Sequence, residues 1–441
     1  MRQERDSLGE LLLSDEACYG IGTARLIAAL PVSDRPFPVE IAKAIIQIRE
    51  AQAIAFWRNG QWPAPLGEAI QVAARKALSE ETLLANQVRF NTLYGGGVRG
   101  VLDNVDEVLA NLTLEAMGAP KGEYHRVAHM LQMELEADSL ATFMTAVHIA
   151  LLKEIQQIEA ALDKTGELLK KRAEEWKAVR YLQNEHYRDI AISSLGNLFA
   201  QYGESLQRSR LQLDWLKSRL LPCWRGKPEV LLPLRESTGI DWAVCQKKHD
   251  FPAAADLYLN FSAQLKSLAL ILLQFCNAIG ELLHRSQIDT SRIRAGQDFN
   301  PTEQEMIVPD TVSQMMFLIV GGDAALTAAI CSGGNGASAY APFYSSQLLF
   351  CAEWATGALN LLADSFVETL VCNTEAGEKK IDHTPLQAER LIPVLGYDRA
   401  VQVARIAALT EKPVRTVVVK IKLMTEEDAE RIFSQPDSAN E

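Results

Sequence analysis

Residues 140–177 read LATFMTAVHIALLKEIQQIEAALDKTGELLKKRAEEWK, with one glycine and no proline. At about 1.5 Å per residue such a run extends on the order of 50–60 Å as a helix. Its first half, LATFMTAVHIALLKEI, is apolar nearly all round. A helix apolar on every side must be covered on every side. A chain of 441 residues can barely surround several such helices, so the pattern points to a helical bundle shared between copies.

Working outward, 3.6-residue periodicity recurs at Pro65–Leu78, Val105–Met117, Ser194–Leu221, Ala254–His284, Asp310–Cys331 and Ser345–Cys372. The β-branched run VRTVVVKIKL near Val414 lies between helical patterns and carries little strand weight. The expected fold class is therefore dominated by α-helix. Composition shifts near Glu136 and Asn373 divide the chain into a mixed block at 1–137, a long-helix block at 138–375 and a small helical tail at 376–441.

Apolar residues make up 48% and charged residues 23%, as in soluble globular proteins. The net charge of −12 argues against nucleic acid, whose phosphates call for basic patches. The seven scattered cysteines form no C-x-x-C, which favours a reducing compartment. MRQERDSLGE has no apolar core of a signal peptide, and LALILLQFC and MMFLIV read as too short to cross a bilayer. The expectation is a cytoplasmic protein without a membrane partner. His125 and His129 share i, i+4 spacing, weak evidence for a metal, and none is assigned. His148, in an apolar helix, reads as a core histidine. YGGGVRG lacks the G-K-[ST] ending of a phosphate loop and reads as a turn entering a helix.

Several segments, in order, resemble the aspartase/fumarase superfamily. The chain opens R-x-E-x-D-x-x-G at Arg2, Glu4, Asp6 and Gly9, then YG-x-x-T-x-R at Tyr19, Gly20, Thr23 and Arg25. DNVDEVLANLTLEAMG (Asp103–Gly118) is similar to the family's N-M-N-x-N-E-V-x-A-N. TAVHIA (Thr145–Ala150) and VPDTVSQMMFLIVGGD (Val308–Asp323) resemble P-T-A-M-H-I-A and I-P-E-V-V-N-Q-V-x-F-x-V-I-G-N-D. LIPVLGYDRAVQVARIA and LMTEEDAERIF resemble the family's tail. The resemblance implies a three-domain, mostly helical protomer and a homotetramer built on long central helices. It also implies elimination or addition of ammonia, water or a larger amine or alcohol across a dicarboxylate, with no cofactor.

That chemistry takes a proton from carbon beside a carboxylate, so it needs a base on the C–H and donors or cations on the developing oxyanion. The resemblance implies a loop serine as base, in G-S-S-x-M-P-x-K-x-N-P. Counting back from Pro309 puts that loop on Gly296–Met306, GQDFNPTEQEM, an acidic loop between two helices. Asp298 stands at the serine position and Glu303 at the lysine position. No register supplies either residue, because 296–309 contains neither serine nor lysine. Anchoring on Asn104 and Glu107 places Arg99 in the family's G-T-S segment. His186 and Asp189 match R-T-H-x-Q-D, with Glu185 replacing its threonine. The S-T-N-D segment, near Asp138, matches in neither of two registers.

Carboxylates in place of lysine and hydroxyl would repel a fumarate-like dianion, so ordinary aspartase or fumarase activity is expected to be absent. Catalytic roles are assigned to His186, Asp298 and Glu303. Substrate-binding roles go to Arg99, Asn104, Glu185 and Asp189. Two readings stay open: a remodelled lyase for a small polar or zwitterionic ligand, and a non-catalytic oligomeric scaffold.

Overall fold

The computed structural model describes residues 1–33, 35, 37–127, 138–185, 188–220, 223–224, 226–244, 255–290, 301–332 and 338–434, without the side chains of 81, 223, 244, 255, 301–305 and 338. Strands β1 (Arg2–Asp6) and β2 (Gly9–Leu13) form an antiparallel hairpin. Helices α1 (Ile21–Ala29), α2 (Val39–Arg58), α3 (Ala64–Ser79), α4 (Glu81–Gln87), α5 (Arg99–Ala116) and α6 (Ser139–Glu175) follow. A second hairpin, β3 (Arg180–Glu185) and β4 (Arg188–Ser194), leads into α7 (Leu195–Arg219). Then come α8 (Leu231–Thr238), α9 (Ala255–His284), α10 (Pro301–Ser332) and α11 (Ala341–Ser365). The tail carries α12 (Thr374–His383), α13 (Ile392–Leu395), α14 (Tyr397–Thr410), α15 (Val414–Lys420) and α16 (Glu426–Phe433).

Two compact units emerge: 1–159 with 211–269 and 317–356, and 160–210 with 270–316 and 357–441. Their boundaries fall inside α6, α7, α9, α10 and α11.

The first unit explains the opening motifs. Arg2 donates to Glu4, and also to the Ser14, Ala17 and Tyr19 carbonyls. Arg25 clasps Asp6 through two nitrogens. Glu4 accepts from the Ile21 amide, and Glu107 accepts from the Gly20, Gly22 and Thr23 amides, so two carboxylates close the open end of α1. A Cβ on Gly20 would lie 2.3 Å from the Tyr124 hydroxyl, which is why Y-G-x-x-T needs its glycine. On α2, Arg49 is buried and donates to Asp106 at 2.8 and 2.6 Å. His148 is buried with Nε2 2.8 Å from the Tyr258 hydroxyl, the core histidine the sequence suggested.

In the second unit α7 starts against the end of α6. A Cβ on Gly196 would meet the Ala173 carbonyl oxygen at 2.4 Å. Trp176, Phe199 and Phe275 pack edge to face around that junction. VRTVVVKIKL is helical at α15 because Val414, Val417 and Val418, spaced i, i+3, i+4, face a core with Leu391 and Val403.

Three expectations change. Ser345–Cys372 is not one helix: α11 ends at Ser365, and Val371–Cys372 pairs antiparallel with Ile288–Asp289. The loop read over 296–310 is helical from Pro301, where proline suits a first helical turn and the acids of TEQE favour the positive end of the dipole. Glu303 is therefore a helix residue. Finally, the segments Asp256–His284 and Met306–Ser332 are long and apolar enough to cross a membrane, because the helices outrun the short apolar cores quoted above. A core helix of a soluble bundle meets the same criterion.

Candidate functional site

In the second hairpin Glu185 pairs in register with Arg188, and a bulge follows between Gln183 and Asn184. Next to this last pair, Asp189, the partner of Asn184, fastens the strands to the elements around them. Its Oδ1 accepts from Arg285 Nη1 at 3.2 Å and Asn184 Nδ2 at 3.3 Å, and its Oδ2 accepts from Thr384 Oγ1 at 3.0 Å. One carboxylate thus joins β4 to the end of α9 and to the residue closing α12. Lys380 of α12 also faces this group; burial first, then the Arg285 guanidinium, holds its ammonium below the usual lysine range, while Asp189 opposes the shift.

Beside the hairpin, α9 stops in a Schellman turn. The Ser286 amide donates to the Leu283 carbonyl and the Gln287 amide to the Leu282 carbonyl. Ser286 takes φ +55°, a left-handed conformation normally left to glycine. A cavity of about 320 Å³ opens here, lined by His284, Ser286, Asp289, Met306 and Asn373 among others. Asp289 and Met306, which line it, stand on either side of 291–300 in sequence.

The assigned residues divide between the units. His186 and Asp298 lie outside the described residues, and Glu303 is placed by its backbone alone. Glu185 and Asp189 share the second hairpin. Arg99 and Asn104 belong to the first unit. Arg99 opens α5 after Gly96 and Gly97 at φ +92° and +78°, the turn that YGGGVRG suggested. Its side chain is exposed, with Nε 3.3 Å from Asp103 Oδ1. Asn104 is fully buried, and its Oδ1 accepts from the Arg89 and Phe90 amides at 2.7 and 2.9 Å while Nδ2 donates to the Gln87 carbonyl. Its amide braces the 87–90 backbone.

Arg285, Lys380, Thr384 and Ser286 were not singled out by sequence. The TEAGEKKIDHTP stretch reads as a boundary, and no short spacing links Lys380 to Arg285. Among the described residues no three His, Cys, Asp or Glu side chains form a group able to hold a metal.

The family model for the Fumarase C C-terminus matches residues 390–436. The aspartate ammonia-lyase of Corynebacterium glutamicum is 24% identical over 98% of this chain and 86% of its own length. That of Bacillus subtilis is also 24% identical, over 98% and 95%. The crystal structure of a fumarate lyase:delta crystallin from Brucella melitensis superposes with a TM-score of 0.88 at 23% identity, covering 98% of this chain and 99% of that one. A class II fumarase from Schistosoma mansoni gives 0.84 at 20% identity, covering 98% and 97%.

Proposed function

Because the chain belongs to the aspartase/fumarase superfamily, we propose that it is a lyase-like protein with a remodelled site. It acts by elimination or addition at a C–N or C–O bond of a small amine- or carboxylate-bearing substrate other than aspartate, malate or fumarate. The observation carrying this reading is the hairpin: Asp189, with both oxygens engaged, fastens the strand pair that flanks His186 in sequence. In this reading Asp189 is a positioning residue, His186 the base, and Asp298 and Glu303 the further catalytic carboxylates. Arg99 holds a substrate carboxylate from a separate segment. The test is a thermal-shift panel of small amines, amino acids and carboxylates, beside an assay for fumarate formation. Aspartate and malate are expected to give no fumarate. At least one panel compound is expected to stabilise the wild type and not His186→Ala or Arg99→Ala. Stabilisation by none, or fumarate formed from aspartate or malate, overturns the reading.

The second reading, a non-catalytic scaffold, is favoured by Asn104, Asp106, Glu107 and Asn111. All four bond within the chain, so this motif is maintained by the frame without a ligand. In either reading we propose a homotetramer in three domains, located in the cytoplasm. In the most apolar stretch of Met306–Ser332 only 28% of residues are buried, with Phe317 and Leu318 exposed, which supports burial against other copies. The described cysteines are free thiols, in keeping with a reducing compartment. Light scattering at four times the chain mass supports the assembly; a stable monomer refutes it.

A further inference from the structure

Asp189 faces two cations. Arg285 touches it at 3.2 Å, and Lys380 sits one helical turn before Thr384: its carbonyl accepts from the Thr384 amide at 3.1 Å, and Thr384 Oγ1 donates to Asp189 at 3.0 Å. Glu378, also on α12, pairs with Arg180, whose Nε is 3.1 Å from Oε1. His383, on the same helix, has its Nδ1 2.8 Å from the Lys379 carbonyl. Among the described residues nothing forms a hydrogen bond or close ion pair with the Lys380 ammonium. One carboxylate thus stands against two cations, in a place half removed from water. Like charges at such a place repel unless an anion completes the set.

We infer that Arg285 and Lys380 form an oxyanion-binding pair beside Asp189 of the β3–β4 hairpin, taking the carboxylate or phosphate group of a small ligand. Asp189 and Thr384 hold the guanidinium side of the site in place. Lys380, half-buried on α12, supplies a charge on a flexible stem that moves to the ligand. The pair binds its anion whether or not the protein turns a substrate over, so it stands apart from the lyase reading.

The test uses the full chain at matched ionic strength, titrated with malonate, succinate and inorganic phosphate by calorimetry. At least one gives saturable binding to the wild type, and the ranking separates carboxylate from phosphate as the natural group. Lys380→Gln weakens that binding about tenfold or more, the scale of a hydrogen bond to a charged group, and Lys380→Arg restores most of it. The bound anion also shields Lys380 of the unmutated chain from reductive methylation, read by mass spectrometry, so the test does not depend on a variant folding. No saturable binding by any of the three, equal affinity in Lys380→Gln, or methylation of Lys380 indifferent to anion overturns the inference.

Discussion

The interlocked motifs of the first unit and the Asp189 cluster of the second use the same residue types to opposite ends. In the first, Arg2 meets Glu4, Arg25 meets Asp6 and Arg49 meets Asp106. Glu107 is turned on backbone amides at the start of α1. Charges there fasten the frame. In the second hairpin Asp189 pairs with Arg285 while Lys380 of α12 stands a turn from Thr384, and among the described residues nothing forms a close ion pair with the Lys380 ammonium. Matching a family motif therefore does not reveal whether a charged residue braces the chain or addresses a ligand. The balance of charge around it does.

The largest expected effect tests the bracing side. Asp106→Ala removes the carboxylate that engages the buried Arg49 guanidinium and is expected to lower unfolding free energy by about 3–5 kcal/mol in urea titration. Lys380→Gln, at the other region, is expected to stay within about 0.5 kcal/mol of the wild type. Equal losses would erase the distinction. Next comes His148, whose burial depresses its pKa from 6.5 to about 4. The folded protein binds the proton later than the unfolded chain as pH falls. Stability from this group is complete above pH 6.5, declines as pH drops from there, and is lost by about pH 4, a span of roughly 3 kcal/mol. Urea titrations at pH 7 and pH 4 check it, and His148→Gln is expected to flatten that slope.

Gly196→Ala sets a methyl group against the Ala173 carbonyl and is expected to cost roughly 1–3 kcal/mol. A melting temperature equal to the wild type would mean that the α6–α7 junction yields. Among the bracing residues the smallest effect is Glu107→Ala, which uncovers the first amides of α1 for about 1–2 kcal/mol. Circular dichroism at increasing urea is expected to show the loss without any change in oxyanion binding, which sharpens the separation of frame from site.

Much of the helical frame was legible because long periodic runs leave little choice: the run at 140–177 is helix over Ser139–Glu175. Its limits appear where a local signal competes with periodicity. Pro301 and the acids after it are a helix start, yet beside Gly296 and Asn300 they read as loop. The site was less legible. Asn104 carries a side chain suited to a ligand, and only the geometry of 87–90 shows it turned on the backbone. Lys380 and Arg285 meet through the pairing of 288–289 with 371–372 and the packing of α12 beside β3, contacts that no sequence spacing encodes.

Both unit boundaries run through helix interiors, at α6, α7, α9, α10 and α11. No flexible tether joins the units, so neither can be excised, swapped or expressed alone without severing backbone hydrogen-bond ladders at five points.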